Sequence, residues 1–268
     1  MVPAVTGNMR GPRAKIERAK KEINELEAKI GDLTFANSTH PQVILIEDDP
    51  QTAHRLYKLG DLPEIPDHIP ALAGNVVHNL RASLDLLFGQ LIVANGKEIG
   101  EDYFPIAYTR KNFKSRCEGE VKGRVGEDAL KLIRATEAYR GGKGDAFWRV
   151  HRLDIEDKHR LLFVVGFGFR SFGVPMPTEH FSPEAVALFE GMGLFLMPED
   201  RMVPLKKGDV IFVDQQPAVA KTEVKFRLDV AFNESQIVQG EPLLPTLVGF
   251  AEKVEGTVEA FAALFEPI

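Results

Sequence analysis

Apolar residues recur along this chain at two spacings, and the change of spacing divides it. Residues 13–31, RAKIERAKKEINELEAKIG, place Ile16, Ile23, Leu26 and Ile30 on one helical stripe, with charge elsewhere and Gly31 as the expected stop. The segment ALAGNVVHNLRASLDLLFGQLIVANG carries Val77, Leu80, Leu84, Leu87, Phe88 and Leu91 on a broad apolar face and ends at Asn95-Gly96, a C-cap pair. Beside that face runs a second stripe, His78, Ala82, Asp85 and Gly89, whose small residues would let another backbone approach; Arg81 lies at its edge. Residues 145–165 continue the helical period. Phe147, Val150, His151, Asp154, Asp157, Lys158 and Leu161 share one side, and Trp148, Arg152, Glu156, His159 and Phe163 the other. Shorter helices are expected near 110–118, 126–138 and in SPEAVALFEGMG, and a closing one over about 244–265 buries Leu247, Phe250, Val254, Val258, Phe261 and Phe265.

Period two appears in three places. VILIE, DDPQ and HRLYKL read as a hairpin over 42–59, VIFVD as a strand, and EVKFRLDVAF as a strand with Val224, Phe226, Leu228, Val230 and Phe232 on one face. GFGFRSFGVPMPTEH reads as a Gly/Phe/Pro-rich loop with strand character at its start, and GGKG (141–144) as a flexible break. The expected fold is one α+β domain over 1–268, a helical bundle packed with a small antiparallel sheet. Its parts are an N-terminal amphipathic helix (1–35), a helical core (68–165), a β-rich segment (203–240) and a closing helix (244–266).

Composition narrows the classes. The chain has 268 residues, 44% hydrophobic and 27% charged, and a formal net charge of −6, ordinary for a globular protein and unlike a general nucleic-acid binder. One cysteine, Cys117, excludes a disulfide framework and a thiolate metal site, and reads as structural. The N-terminal stretch lacks an apolar signal region and no apolar run is long enough to span a bilayer, so a cytoplasmic location and no membrane partner are expected. The first helix is locally basic, with Arg10, Arg13, Lys15, Arg18, Lys20 and Lys21 against Glu17. That stretch, 10–21, is either a contact for RNA or a protein partner, including a second copy of the chain, or a solvated helix face.

Candidate chemistry concentrates on the two central helices. They carry His78, Arg81, Asp85, His151, Asp154, Asp157 and Lys158 beside apolar faces, where ionisable groups must be paired. If the stripes face each other, the cluster could do acid–base work through a histidine oriented by an aspartate. It could also ligate a metal through His78, Asp85, His151 and Asp154, or simply fix helix register. Which metal or cofactor, if any, the spacing leaves unknown. Glu156-x-x-His159 is one step of a di-iron pattern that needs two, and Arg152-x6-His159 is a spacing that arises by chance about once in a chain of this composition.

The run GNVVHNLRASLDLL, the following YFPI and then FWRVHRLDIEDKHRLL resemble a signature shared by a widespread set of uncharacterised bacterial proteins, roughly VHNLRxxLD … FPI … LHxLDxxDKHR. The likeness covers residues 68–165, with a looser match in the β-rich tail. Such relatives often carry an R-x4-H step on the first helix, which suggests a distant likeness to HEPN helical domains, a class rich in RNA-cutting proteins. This resemblance implies an RNA-directed protein, a nuclease or an inactive relative. Here Arg81 is present but Leu86 occupies the histidine position, while Asp157, Lys158 and His159 match and keep His159 a candidate. A metal-dependent enzyme and a non-catalytic assembly protein stand as the alternatives.

Overall fold

The computed structural model describes residues 8–38, 44–160, 165–174, 194–196, 205–214, 225–232, 237–238 and 240–265. The helices are α1 (Arg10–Ser38), α2 (His68–Ala94), α3 (Arg110–Arg116), α4 (Glu127–Thr136), α5 (Asp145–Arg160) and α6 (Leu243–Ala262). The strands are β1 (Ile44–Asp48), β2 (Arg55–Leu59), β3 (Val165–Val174), β4 (Leu194–Leu196), β5 (Val210–Asp214) and β6 (Lys225–Phe232). The fold is α+β: a helical bundle with antiparallel strands.

Helix α2 is the centre of the bundle. Ile69, Val76, Val77, Leu80, Leu84, Leu87, Phe88 and Ile92 are all buried, too many for one stripe, so neighbours cover it on several sides. Helix α1 covers one of them with Ile16, Ala19, Ile23, Leu26 and Ile30. Polar groups pin the register of this pair. Ser83 Oγ donates to the Pro12 carbonyl at 2.9 Å, and Asn79 Nδ2 donates to Glu22 Oε2 at 3.0 Å, so the helices run antiparallel. Lys15 Nζ donates to Asn79 Oδ1 at 3.0 Å and Arg18 Nε to Glu22 Oε1 at 2.7 Å. Buried Asn79 and Glu22 are thereby satisfied, as buried polar groups must be.

Helix α6 closes the bundle with Leu247, Phe250, Val254, Val258 and Phe261 buried, as the pattern predicts, and Phe265 packed at the edge. Arg13 pairs with Glu259 at 2.6 Å and Lys20 with Glu255 at 2.5 Å, which also sets α6 antiparallel to α1.

The β segments form two three-stranded antiparallel sheets rather than one, in the orders β1-β2-β5 and β4-β3-β6. The hairpin is as expected, with Ile46 opposite Tyr57. The 166–174 part of the expected loop is strand β3, which pairs with β6 in a register that sets Phe167 opposite Val230 and slips between Phe169 and Ser171. Val230 and Phe232 face the core.

Three other expectations are corrected. Helix α1 runs through Gly31 to Ser38, because Ile30 and Leu33 on either side of the glycine pack on the core and outweigh its roughly 1 kcal/mol helix penalty. GGKG is a tight turn, not a loose break: a Cβ on Gly142 would lie 2.4 Å from the Glu137 carbonyl, and one on Gly144 2.5 Å from that of Thr136. Trp148, placed outward by helical phase, is buried, edge-on to Tyr108 at 5.7 Å with the Arg140 guanidinium 5.4 Å from its ring centre. The expected helix over 182–193, together with Leu161, Phe163 and Val224, lies outside the described residues.

Candidate functional site

Helices α2 and α5 do meet, antiparallel, along a seam of three levels. At the first, Gly74 lies under Asp157, so closely that a Cβ on the glycine would be 2.6 Å from Oδ1. At the second, His78 Nδ1 lies 3.0 Å from Asp154 Oδ1. At the third, the buried Arg81 lies close enough to His151 for its charge to lower that ring's titration. Steps of four and three residues on α2 meet steps of three on α5, the interval that keeps side chains on one helix face. Phe147, Val150 and Leu153 fill the apolar part of the α5 face and carry the polar residues inward with them.

The small-residue expectation was misplaced within this seam. The close approach occurs at Gly74, one turn before His78. Ala82 is half-buried, and Gly89 is covered by the Ile99 side chain, 3.2 Å from where its Cβ would be.

At the second level a buried carboxylate holds two cationic or basic groups at the surface. Asp154 has only 5% of its side chain exposed, whereas His78 shows 52% and Lys158 54%. Lys158 Nζ donates to Asp154 Oδ2 at 2.6 Å, and the other oxygen faces the imidazole. A carboxylate oxygen accepts, so Nδ1 donates to it, which in the neutral ring leaves the lone pair on Nε2. Asp157, beside this trio, has its carboxyl pushed up by burial and by the neighbouring Asp154 charge.

Arg81 and Asp85 engage the segment that follows α2. They pair at 2.8 Å and together clasp the YFPI segment: Asp85 Oδ1 accepts from the Phe104 N–H at 2.9 Å, and Arg81 Nη2 reaches the Phe104 carbonyl at 3.4 Å. Arg116 Nη1 adds a bond to the Ile106 carbonyl at 2.7 Å. Phe104 and Ile106 are thereby held in the core, with Phe104 edge-on to Phe88 and Phe147. Burial pushes the Asp85 carboxyl up despite Arg81, and lowers Arg81 itself. Among the described residues, two buried atoms in this region, Arg81 Nη1 and His151 Nδ1, have no hydrogen-bond partner. Burial, followed by the Arg81 charge, holds His151 at about 4, so the ring is neutral at ordinary pH.

The metal set does not assemble. Asp85 is turned to Phe104, His151 is half-buried, and among the described residues no three His, Cys, Asp or Glu side chains converge. His159 belongs to α5, but its side chain lies outside the described residues, so Glu156-x-x-His159 and Arg152-x6-His159 gain nothing; Arg152 and Glu156 lie 4.0 Å apart as a surface ladder. Cys117 is buried and its thiol is pushed up by burial, as for a structural cysteine. The basic stretch 10–21 is largely spent within the chain, on Glu259, Glu22, Glu255 and Asn79. No described helix is long and apolar enough to cross a membrane.

Reading the sequence missed Gly74, the Phe104 backbone and Arg116. Gly74 was detectable, since it precedes His78 by one helical turn on the same stripe. No family model, curated protein or solved structure matches the chain.

Proposed function

We propose that the α2–α5 seam is an acid–base site acting on RNA phosphodiesters, with His78 as the proton acceptor and Asp154 positioning it. The observation that carries this reading is an exposed imidazole held through Nδ1, at 3.0 Å, by a buried carboxylate. That arrangement fixes the tautomer and ring orientation a general base requires. His78 Nε2 takes the proton of the attacking ribose hydroxyl as its oxygen bonds to phosphorus. The bond to the leaving oxygen breaks, and that oxygen takes a proton from water. Lys158, exposed beside the histidine, offers a positive charge to the phosphate. The RNA substrate class rests on the resemblance of residues 68–165 to a set of bacterial proteins whose R-x4-H step on the first helix suggests a distant likeness to HEPN domains. The wiring differs from theirs, because the base lies three residues before Arg81 and not at Leu86.

A mixed-sequence fluorescent RNA incubated with the pure chain in excess chelator tests this. Cleavage is expected, reduced about 100-fold or more in His78→Ala and Asp154→Asn. Absence of cleavage by the parent, or an undiminished rate in His78→Ala, overturns the reading. The clasp on Phe104 favours a second reading for that outcome, a non-catalytic protein whose charged seam fixes helix register.

A further inference from the structure

A second concave site lies away from the α2–α5 seam, between α3, the turn after it, and the end of α4. It is a cavity of about 380 Å³, within the range of pockets that hold small ligands. Its apolar lining is Phe113, Tyr139 and Cys117, all buried, with the two rings 5.7 Å apart and tilted by 48°. Its charged lining includes Arg110 and Lys114, one turn apart on α3, and Arg134 from α4. Among the described residues Arg110 and Lys114 have no acidic partner, while Arg134 pairs with Glu118 at the edge. The acids that line the cavity are otherwise engaged: Glu118 by Arg134 and Lys122, and Glu137 by Lys143.

The walls are built to stay in place. The chain after Cys117 makes a π-helical turn, Cys117–Val121, a feature often found at functional sites. Glu137 takes a left-handed conformation, φ 48°, which costs a non-glycine residue energy that the surrounding structure must supply. The following turn leaves no room for a Cβ on Gly142, which would lie 2.9 Å from the Tyr139 ring. The Tyr139 ring is therefore packed closely against the Gly142 turn.

We infer that this cavity binds a small organic anion, a ring-bearing phosphate or carboxylate, with its charge on Arg110 and Lys114 and its ring against Phe113 and Tyr139. Two uncommitted cations beside an aromatic floor match such a molecule at both ends, and a ligand with only one of these features loses half of the contacts. The site stands independently of the acid–base reading, since it shares none of its residues.

Titration of the full chain by NMR and calorimetry with adenosine 5′-monophosphate, benzoate, inorganic phosphate and uncharged adenosine tests the proposal. Saturable binding of the monophosphate or of benzoate is expected, and which of the two binds more tightly identifies the head group. Binding should weaken at least tenfold in Arg110→Ala/Lys114→Ala and fall with added salt. Both positions are exposed, so the variant should keep its fold, which circular dichroism checks. The proposal is overturned if neither ring-bearing anion saturates by millimolar concentration, if adenosine or inorganic phosphate binds as well as they do, or if the folded double variant binds unchanged.

Discussion

Acid should cost this protein stability through His151 in particular. The folded chain holds the ring neutral until about pH 4, against an ordinary value of 6.5, because the ring is half-buried and feels the Arg81 charge, with Arg116 and Arg152 adding to the effect and Asp154 opposing it. The unfolded chain takes up the proton near its ordinary pKa. This contribution is therefore fully present above pH 6.5, drains as pH falls, and is exhausted below about 4. At about 1.4 kcal/mol per pH unit the full difference is about 3 kcal/mol. The ring is only partly buried, and solvent screening reduces that to about 2 kcal/mol. The perturbation is His151→Gln, which stays neutral throughout. Urea unfolding of parent and variant at pH 7 and pH 4 gives four free energies, and the parent should lose about 2 kcal/mol more than the variant. The comparison matters because Asp85 and Asp157, pushed up by burial, act in the opposite sense in both proteins. Parallel losses in the two proteins would refute the assignment.

Two further outcomes follow from the seam. Asp85→Ala leaves the buried Arg81 without its carboxylate and the Phe104 N–H without its acceptor, and should cost about 3–5 kcal/mol by urea unfolding; Asp85→Asn, which keeps an acceptor oxygen, should cost less, and a loss below about 1 kcal/mol in the alanine variant would mean the clasp is not structural. Gly74→Ala drives a methyl group against the Asp157 carboxyl and should cost about 1–3 kcal/mol, but much less when Asp157→Ala is already present; equal costs in both backgrounds would place the strain elsewhere.

The contact between α2 and α5 was legible because both helices are long and strongly periodic, so phase alone put His78 and Asp154 on facing sides. Phase could not separate roles within that face. Arg81 and Asp85 differ from His78 and Lys158 only in what the YFPI segment brings to them, and nothing in the local sequence says that the Phe104 backbone lies there. The basic face of α1 was open to several readings for the same reason. Its acidic partners Glu255 and Glu259 are on the far helix, so their attraction is invisible to any window along the chain. Gly31 was read as a stop because glycine is locally unfavourable, while the burial of Ile30 that overrides it depends on α2. The strands were found by their alternation, but their division into two sheets depends on pairings such as β2 with β5, more than 150 residues apart.

The clamp between α1 and α6 has a consequence for how the chain is made. Arg13 and Glu259 are 246 residues apart in sequence. A ribosome adding about 5–20 residues per second takes roughly 12–50 s to cover that distance. Throughout that interval α1 has emerged and can settle on α2 once the latter appears, but the side destined for α6 stays uncovered. Nascent chains should therefore pass through a long-lived species with an open apolar flank, and a chaperone that binds such surfaces would meet this protein on the ribosome, before α6 is synthesised.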